Sequence, residues 1–172
     1  GTPSLMRPGS IETILNRIAL LWPMAEDCEI TMEANPTTHE KERFAGFRAA
    51  GVNRLSLGVQ SFRQDALDFL GRTYSVADAE SALTHIAATF PRFSFDLIYA
   101  LPDQTEAEWR RQLDHALGFG SAHISLYQLT FEPGTRFYQW MQSGKISPLA
   151  DEAAADLYDI TVGTLEKAGL LR

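Results

Sequence analysis

The sequence predicts an α/β fold in which parallel β-strands alternate with α-helices. Residues Arg92–Gln104 form an almost unbroken apolar run that carries a single carboxylate, Asp96. A short apolar run of this kind is typical of a strand that is covered on both faces. Thr105 and Glu108, directly after it, have the spacing of a capping box, so a helix begins at once. Three further strand and helix patterns along the chain indicate right-handed βαβ units in one parallel sheet.

The individual elements follow from capping residues, hydrophobic periodicity and glycines that end helices. The predicted strands are Cys28–Ala34, Asn53–Gln60, Phe93–Ala100 and Ala122–Leu129. The predicted helices run from the Ser10 cap to Pro23, from the Thr37 and Glu40 capping box to Gly51, over Gln64–Leu70, from the Ser75 cap to Phe90, from the Thr105 cap to about Phe119, and over Gly134–Gln142 and Asp151–Ala168.

Four parallel strands are too few to close a barrel. The alternation therefore predicts a partial TIM-like (βα) barrel, an arc of four parallel strands with flanking helices. We expect further strands of the barrel to lie outside residues 1–172, on both sides.

The composition argues against several classes of function. The 172 residues suit one domain or part of a larger one, and 45% of them are hydrophobic. The net charge is −7 and the basic residues do not cluster, so neither nucleic acid nor an anionic membrane surface is indicated as a partner. No apolar run approaches the roughly 18 residues of a transmembrane segment. One cysteine allows no intrachain disulfide, and a cytoplasmic location is the default expectation.

A polar side chain lies at or near the carboxyl end of each predicted strand. These residues are Glu33, Gln60, Asp96 and Gln128. The carboxyl ends of parallel strands meet at one face of a barrel, where binding sites are built. Together with Arg72 they predict a site for a polar ligand, because carboxylates, amides and guanidinium groups recognise amines, hydroxyls and carboxylates. The alternative is that these residues only cap helices or face water, and that Asp96 is a paired structural aspartate.

Five segments resemble the radical S-adenosylmethionine (SAM) family of oxygen-independent coproporphyrinogen III oxidases. They are Glu-Ala-Asn-Pro (33–36), Arg-Leu-Ser-Leu-Gly-Val-Gln-Ser-Phe (54–62), Leu-Gly-Arg (70–72), Asp-Leu-Ile-Tyr-Ala-Leu-Pro-Asp-Gln-Thr (96–105) and His-Ile-Ser-Leu-Tyr-Gln-Leu-Thr-Phe-Glu-Pro-Gly-Thr (123–135). The resemblance covers nearly the whole chain in order. The sequence of the last segment and the sequence Gly-Thr-Pro-Ser-Leu (1–5) are most similar to those of the oxidase-like branch of heme chaperones.

The resemblance implies which residues bind S-adenosylmethionine. Gly1 and Thr2 would end the glycine-rich segment whose backbone holds the methionine part of the ligand. Thr130 would line the adenosine pocket after the fourth strand. The matching side chains that would hold the ligand are Glu33, Gln60, Arg72 and Asp96. Two departures from the family pattern are Ala100, where glycine is usual, and Tyr74, where histidine is common.

The largest departure is that the chain has no Cys-x3-Cys-x2-Cys loop for a [4Fe–4S] cluster. Its one cysteine, Cys28, is expected to be a small buried residue at the opposite face from the site. The resemblance thus implies that residues 1–172 are the central part of a radical SAM (βα)6 barrel domain. The cluster-binding strand and the C-terminal domain would lie elsewhere in the parent protein, and this chain alone would be catalytically inactive.

The resemblance leaves two functions open for the parent protein. One is heme binding and delivery to recipient proteins in the porphyrin pathway. The other is the anaerobic oxidative decarboxylation of coproporphyrinogen III to protoporphyrinogen IX by a 5′-deoxyadenosyl radical. The resemblance therefore also implies heme as a ligand of the parent protein, and histidine is a common ligand of heme iron. Each histidine of this chain is nevertheless better interpreted as an ordinary residue on a predicted helix or at the start of a predicted strand. The four histidines are His39, His85, His115 and His123. An unrelated barrel fragment that binds another polar metabolite is the remaining alternative.

Overall fold

The computed structural model describes residues 2–170, except for the side chains of Thr38 and His39. In the described part, four strands form one sheet in the order β1-β2-β3-β4. They are β1 (Thr31–Ala34), β2 (Arg54–Gln60), β3 (Arg92–Tyr99) and β4 (Ile124–Gln128). The parallel register of the first pair places Glu33 opposite Ser56. The predicted α/β fold with four parallel strands alternating with helices is confirmed.

The helices follow the predicted order. A 3-10 turn covers Pro3–Leu5 and is followed by α1 (Pro8–Leu21), α2 (Thr38–Lys41), α3 (Phe44–Ala49), α4 (Gln64–Phe69), α5 (Val76–Thr89), α6 (Glu106–Leu117), α7 (Arg136–Gln142) and α8 (Asp151–Lys167). The capping boxes that begin at Ser75 and Thr105 are both formed. Gly51 has a φ of 111°, as expected for a residue that ends a helix in a left-handed conformation.

Two helix predictions were wrong. The first helix begins at Pro8 after Arg7, not after Ser10, because proline at the first helical position has its φ already set. The single helix predicted from Thr37 to Gly51 is divided into α2 and α3. Its Glu40 carboxylate binds residues outside the helix, and the backbone turns where the Arg43 N–H donates to the Glu40 carbonyl oxygen over 3.0 Å.

The chain divides into two compact units, which are described separately. The first comprises Gly1–Asp96 with Ser121–Ser125, and the second comprises Leu97–Gly120 with Leu126–Arg172. In the first unit the core is formed by side chains that are completely shielded from solvent. The largest of these are Phe44, Phe47, Leu55, Leu57, Leu67, Leu83, Ile86 and Phe95. They come from β2, β3 and the helices α3 to α5, so these elements hold one another in place.

The second unit is organised around Trp109 of α6. Its ring is fully buried and lies 5.4 Å from the ring of Tyr99, in a stacked arrangement. Its indole N–H donates a 2.7 Å hydrogen bond to the Thr161 hydroxyl oxygen, and that hydroxyl donates to the Leu157 carbonyl oxygen. A buried tryptophan needs such a partner for its N–H, which explains the polar threonine inside α8.

Helix α1 exposes most of its apolar stripe. Ile11 is buried, but Ile14, Ile18 and Trp22 are 45%, 37% and 61% exposed. Apolar periodicity predicted the helix correctly, whereas it did not show how much of the stripe would be covered. None of the described helices is long and apolar enough to cross a membrane.

Candidate functional site

A polar cavity of about 180 Å³ lies in the first unit, at the carboxyl ends of β1 and β2. Four of the residues predicted to bind a ligand contribute to its wall: Thr2, Glu33, Gln60 and Asp96. The remaining lining residues are Pro3, Ala34, Asn35, Ser56 and Gly58. The tertiary structure therefore brings together residues that are up to 94 positions apart in the sequence, from Thr2 to Asp96.

Strand geometry determines which side chains face the cavity. Successive side chains of a strand point to opposite faces, so Ser56, Gly58 and Gln60 share one face of β2 while Leu57 and Val59 are buried on the other. Glu33 is paired with Ser56 on the neighbouring strand and is exposed toward solvent. The same alternation in the sequence identifies Ser56 and Gly58 as members of the polar face.

Gln60 has an unusual backbone conformation at the end of β2. Its φ is 68°, and the Ser61 N–H donates a 2.9 Å hydrogen bond to the Val59 carbonyl oxygen around it. A bond between residues two apart around a positive φ is the pattern of the rare γ-turn. A residue other than glycine is strained in this region, and such strain is concentrated at functional sites. The turn ends the strand and keeps Gln60 at the cavity, where the residue is only 9% exposed.

Gly58 provides the space that the Gln60 amide occupies. A Cβ atom at position 58 would lie 2.8 Å from Gln60 Nε2 and 3.5 Å from Asn35 Oδ1. The first distance is too short for an ordinary contact between a carbon and a nitrogen atom. The missing side chain therefore allows the amide to fold over the strand and face the cavity.

The carboxyl group of Asp96 lies in an environment that disfavours its charge. Burial raises its pKa, and the nearby Glu33 carboxylate raises it further. A hydrogen bond with Ser125 and the electrostatic effects of His123 and Arg54 oppose this rise in the pKa of Asp96. Asp96 is thus a half-buried carboxyl group for which a ligand that donates hydrogen bonds would stabilise the ionised form.

A second polar layer in this unit involves Arg54, which the sequence patterns did not single out. Its Nη2 donates a 2.7 Å hydrogen bond to the Ser94 hydroxyl oxygen, and its Nη1 donates to Thr31 Oγ1 over 3.3 Å. The Ser94 hydroxyl donates in turn to Ser56 Oγ over 3.0 Å. These bonds connect β1, β2 and β3 on the face that carries the cavity residues, so the layer supports Ser56 at the wall.

Three other predicted site residues do not line the cavity. Arg72 lies in the first unit outside the wall, and its buried Nε has no hydrogen-bond partner among the described residues. Thr130 belongs to the second unit and is exposed, as is Gln128. Gly1 lies outside the described residues.

The structure corrects the expectation for Cys28, which is partly exposed rather than buried. It lies three residues before β1 begins, where the chain is irregular and does not cover the thiol. Among the side chains that the structure describes, no group of three or more His, Cys, Asp or Glu residues could hold a metal ion. The histidines lie in α2, α5 and α6 and directly before β4.

Comparison with known proteins decides the family. Residues 1–116 match the Radical SAM superfamily. The chain belongs to this superfamily. A radical SAM relative in Danio rerio, "Radical S-adenosyl methionine domain-containing protein 1, mitochondrial", is 41% identical over 170 residues, which are 98% of this chain and 38% of the relative. "Heme chaperone HemW" of Escherichia coli (strain K12) is 40% identical over 172 residues, with 98% of this chain and 44% of the relative covered.

A similar fold is found in the solved structure of coproporphyrinogen III oxidase (HemN) from Escherichia coli, a radical SAM enzyme. It matches with a TM-score of 0.82 and 23% sequence identity over 98% of this chain and 39% of that chain. This likeness concerns the fold alone. It confirms the predicted fold class, in which parallel strands alternate with helices as in a TIM-like radical SAM barrel. The chain spans about two fifths of the length of these curated relatives.

Proposed function

We propose that the cavity binds S-adenosylmethionine and that this chain is the S-adenosylmethionine-binding part of a coproporphyrinogen III oxidase-like radical SAM protein. The observation that carries the proposal is the meeting of Glu33, Gln60 and Asp96 in one cavity. S-adenosylmethionine combines an ammonium group, a carboxylate and a ribose diol. Two carboxylates and an amide can accept from the ammonium and hydroxyl groups, and the amide can also donate.

Residues beyond these three would complete the contacts. The backbone at Thr2, together with Gly1, would hold the methionine part, and Thr130 would contact the adenosine. Arg72 would bind the ligand carboxylate in a two-pronged contact.

The chain's own residues fit the proposed ligand in part. Pockets for drug-sized ligands usually have about 300–1,000 Å³, so a cavity of about 180 Å³ would accept one portion of S-adenosylmethionine. Bound beside a [4Fe–4S] cluster, the ligand supplies radical chemistry. The cluster does not fit this chain, because one cysteine cannot provide three thiolate ligands. We therefore assign the cluster to a longer parent protein and derive no reaction step through it.

Binding measurements test the proposal directly. In full-length, cluster-loaded protein, Asp96→Ala and Gln60→Ala should each weaken S-adenosylmethionine binding about tenfold or more, since each removes a hydrogen bond to a charged or polar group. Cys28→Ser is the control and should leave the affinity unchanged. The 172-residue chain alone should bind at millimolar concentration or more weakly, because a few polar contacts barely offset the cost of association. Unchanged affinity in both alanine variants would contradict the proposal. Micromolar binding to the chain alone would show instead that the cluster is not the main anchor of the ligand.

For the whole protein we propose heme binding and delivery. This rests on relatives named heme chaperone at about 40% identity, and on the similarity of residues 123–135 to that branch. The alternative is oxidative decarboxylation of coproporphyrinogen III, favoured by the likeness to the oxidase fold. Reconstituted full-length protein, given heme or coproporphyrinogen III without oxygen, separates the two. Stable heme binding without turnover supports the first function, and formation of protoporphyrinogen supports the second.

Heme delivery would require recipient proteins, and a cytoplasmic location remains a prediction. Several relatives carry the word "mitochondrial" in their names, including those of Danio rerio and Bos taurus. Fractionation of cells that express the full-length protein would distinguish the two compartments.

A further inference from the structure

The buried carboxylate of Glu40 in α2 connects two segments that form the cavity wall. Only 2% of Glu40 is exposed, and it does not line the cavity itself. Its Oε2 accepts a hydrogen bond from the Ser4 hydroxyl and another, 2.8 Å long, from the Asn35 backbone N–H. Its Oε1 accepts from the Asn35 side-chain amide over 3.4 Å and from the Thr37 hydroxyl over 3.3 Å. One carboxylate thus binds the 3-10 turn near the N-terminus and the loop after β1.

The same region contacts the N-terminal segment at two other points. Arg43 Nη1 donates to the Leu5 carbonyl oxygen over 2.9 Å and to the Ser4 carbonyl oxygen over 3.4 Å. Gly46 of α3 lets Pro8 approach closely, because a Cβ atom at position 46 would lie 2.7 Å from Pro8 Cγ. Residues 2–8 are therefore held against α2 and α3 by a carboxylate, a guanidinium group and a close packing contact.

We propose that Glu40 is a positioning residue for S-adenosylmethionine binding. It holds Thr2 and Pro3, through Ser4, at a constant distance from Asn35, and all three of these wall residues face the same cavity. The inference rests on the proposed function, because it assigns a role in building the site for that ligand. Glu40 acts through Ser4 and Asn35 and does not contact the ligand.

A carboxylate suits this role because all four groups around it donate hydrogen bonds. An ionised carboxylate only accepts, and its two oxygens offer about four acceptor sites. In Glu40→Gln, one oxygen is replaced by an NH2 group that itself donates. At least one buried donor then loses its acceptor, which is more costly than the loss of an exposed hydrogen bond. Residues 2–5 and the loop at Asn35 should become free to move relative to each other.

The test measures S-adenosylmethionine affinity in full-length, cluster-loaded protein for the wild type, Glu40→Gln, Ser4→Ala and the double variant. Glu42→Gln, a change at an exposed glutamate two residues away, is the matched control. We expect Glu40→Gln and Ser4→Ala each to bind S-adenosylmethionine about tenfold more weakly than the wild type. The affinity of the double variant should be no lower than that of the single variant with the lower affinity, because both changes remove the same contact. The control should bind as the wild type does. Hydrogen exchange should become faster at residues 2–6 and Asn35, while β2 keeps its protection.

The outcomes separate the inference from the proposed function. If the wild type binds S-adenosylmethionine and both single variants, folded at the assay temperature, bind equally well, the positioning role is overturned and the proposed function stands. A lowered melting temperature with unchanged affinity would show a purely structural role and also overturn it. If the wild type does not bind, the proposed function fails and the inference with it. Should Glu40→Gln not fold, Ser4→Ala decides, because it removes one hydroxyl and leaves the carboxylate in place.

Discussion

The phenol of Tyr74 donates a 2.7 Å hydrogen bond to the carbonyl oxygen of Gly58, two residues before the strained Gln60. The same oxygen of Tyr74 lies 3.3 Å from the Val59 carbonyl oxygen. Burial raises the pKa of Tyr74 to about 12, although the charge of Arg72 opposes this rise. The phenol therefore stays protonated and keeps donating over the whole physiological pH range. Tyr74 does not line the cavity, and it supports the end of β2 through the backbone of that strand.

Tyr74→Phe should lower the free energy of unfolding by about 1 kcal/mol, because it removes a buried hydrogen bond and keeps the ring. It should also weaken S-adenosylmethionine binding, since the strand end that presents Gln60 becomes less constrained. Urea unfolding and equilibrium binding measure the two effects. Tyr127→Phe, at a tyrosine that is 56% exposed, is the control and should change neither. An unaltered ligand affinity in Tyr74→Phe would show that the strand end needs no support from this phenol.

Gly58→Ala should reduce ligand affinity much more than stability. The new methyl group would displace the Gln60 amide, which is the end of a flexible side chain, so the fold can adjust at little cost. The amide would then no longer occupy its position at the cavity. Binding assays and thermal unfolding on the same samples test this separation. Gly163→Ala, in α8 with no atom within 4 Å of the new Cβ, is the control and should bind the ligand normally. A large loss of stability in Gly58→Ala would argue against this explanation.

Gln60→Gly and Gln60→Ala should differ in stability but not in binding. Both remove the amide, so both should bind S-adenosylmethionine poorly. Only glycine adopts a φ of 68° without steric cost, and the left-handed region costs other residues roughly 1–2 kcal/mol. The greater freedom of glycine in the unfolded chain offsets part of this gain. We expect the glycine variant to be the more stable by about 0.5–1 kcal/mol in chemical denaturation. Equal stability would indicate that the backbone relaxes at this position.

Asp96→Asn should stabilise the protein at neutral pH while weakening ligand binding. Because burial raises the pKa of Asp96, the folded protein binds a proton over a pH window in which the unfolded chain has released it. Stability then falls as the pH rises through that window. The amide does not titrate, so the stability advantage of Asp96→Asn should be complete at a pH well above the raised pKa of Asp96. It should shrink as the pH falls through that raised pKa and be lost below about pH 3.9, where the aspartate is protonated in both states. Urea unfolding at several pH values measures it, with Asp114→Asn at an exposed helical position as the control. A stability difference that does not depend on pH would contradict this explanation.

Ala100→Gly should be neutral or stabilising, unlike most glycine substitutions at buried alanines. Ala100 is 4% exposed and has a φ of 58°, so it stands in a conformation that favours the glycine usual in the family. Ala79→Gly in α5 is the matched control and should lower the free energy of unfolding by about 1 kcal/mol, because the backbone there is helical. If both variants lost the same stability, the backbone at Ala100 would not be strained.

Local signals were enough to predict the order and type of nearly all helices and strands. The capping box at Thr105 and the N-cap at Ser75 were predicted at the correct residues, since a cap involves atoms only three residues apart. Alternation along β2 correctly placed Ser56, Gly58 and Gln60 on one face, because the direction of strand side chains repeats every two residues. Motif resemblance added the superfamily, which was then confirmed.

The construction of the site depends on contacts between residues that are far apart in the sequence. Ser4 and Glu40 are 36 residues apart, so no local pattern shows that a helical carboxylate holds the N-terminal turn. The same holds for the Arg54 bond to Ser94 across 40 residues. The positive φ of Gln60 depends on the γ-turn that ends β2 and runs against the preference of its side chain, so propensity could not reveal it. The exposure of the apolar stripe of α1 could not be predicted from the sequence either. Periodicity shows that a helix has an apolar face, whereas only the packing of the folded protein shows how much of that face is covered.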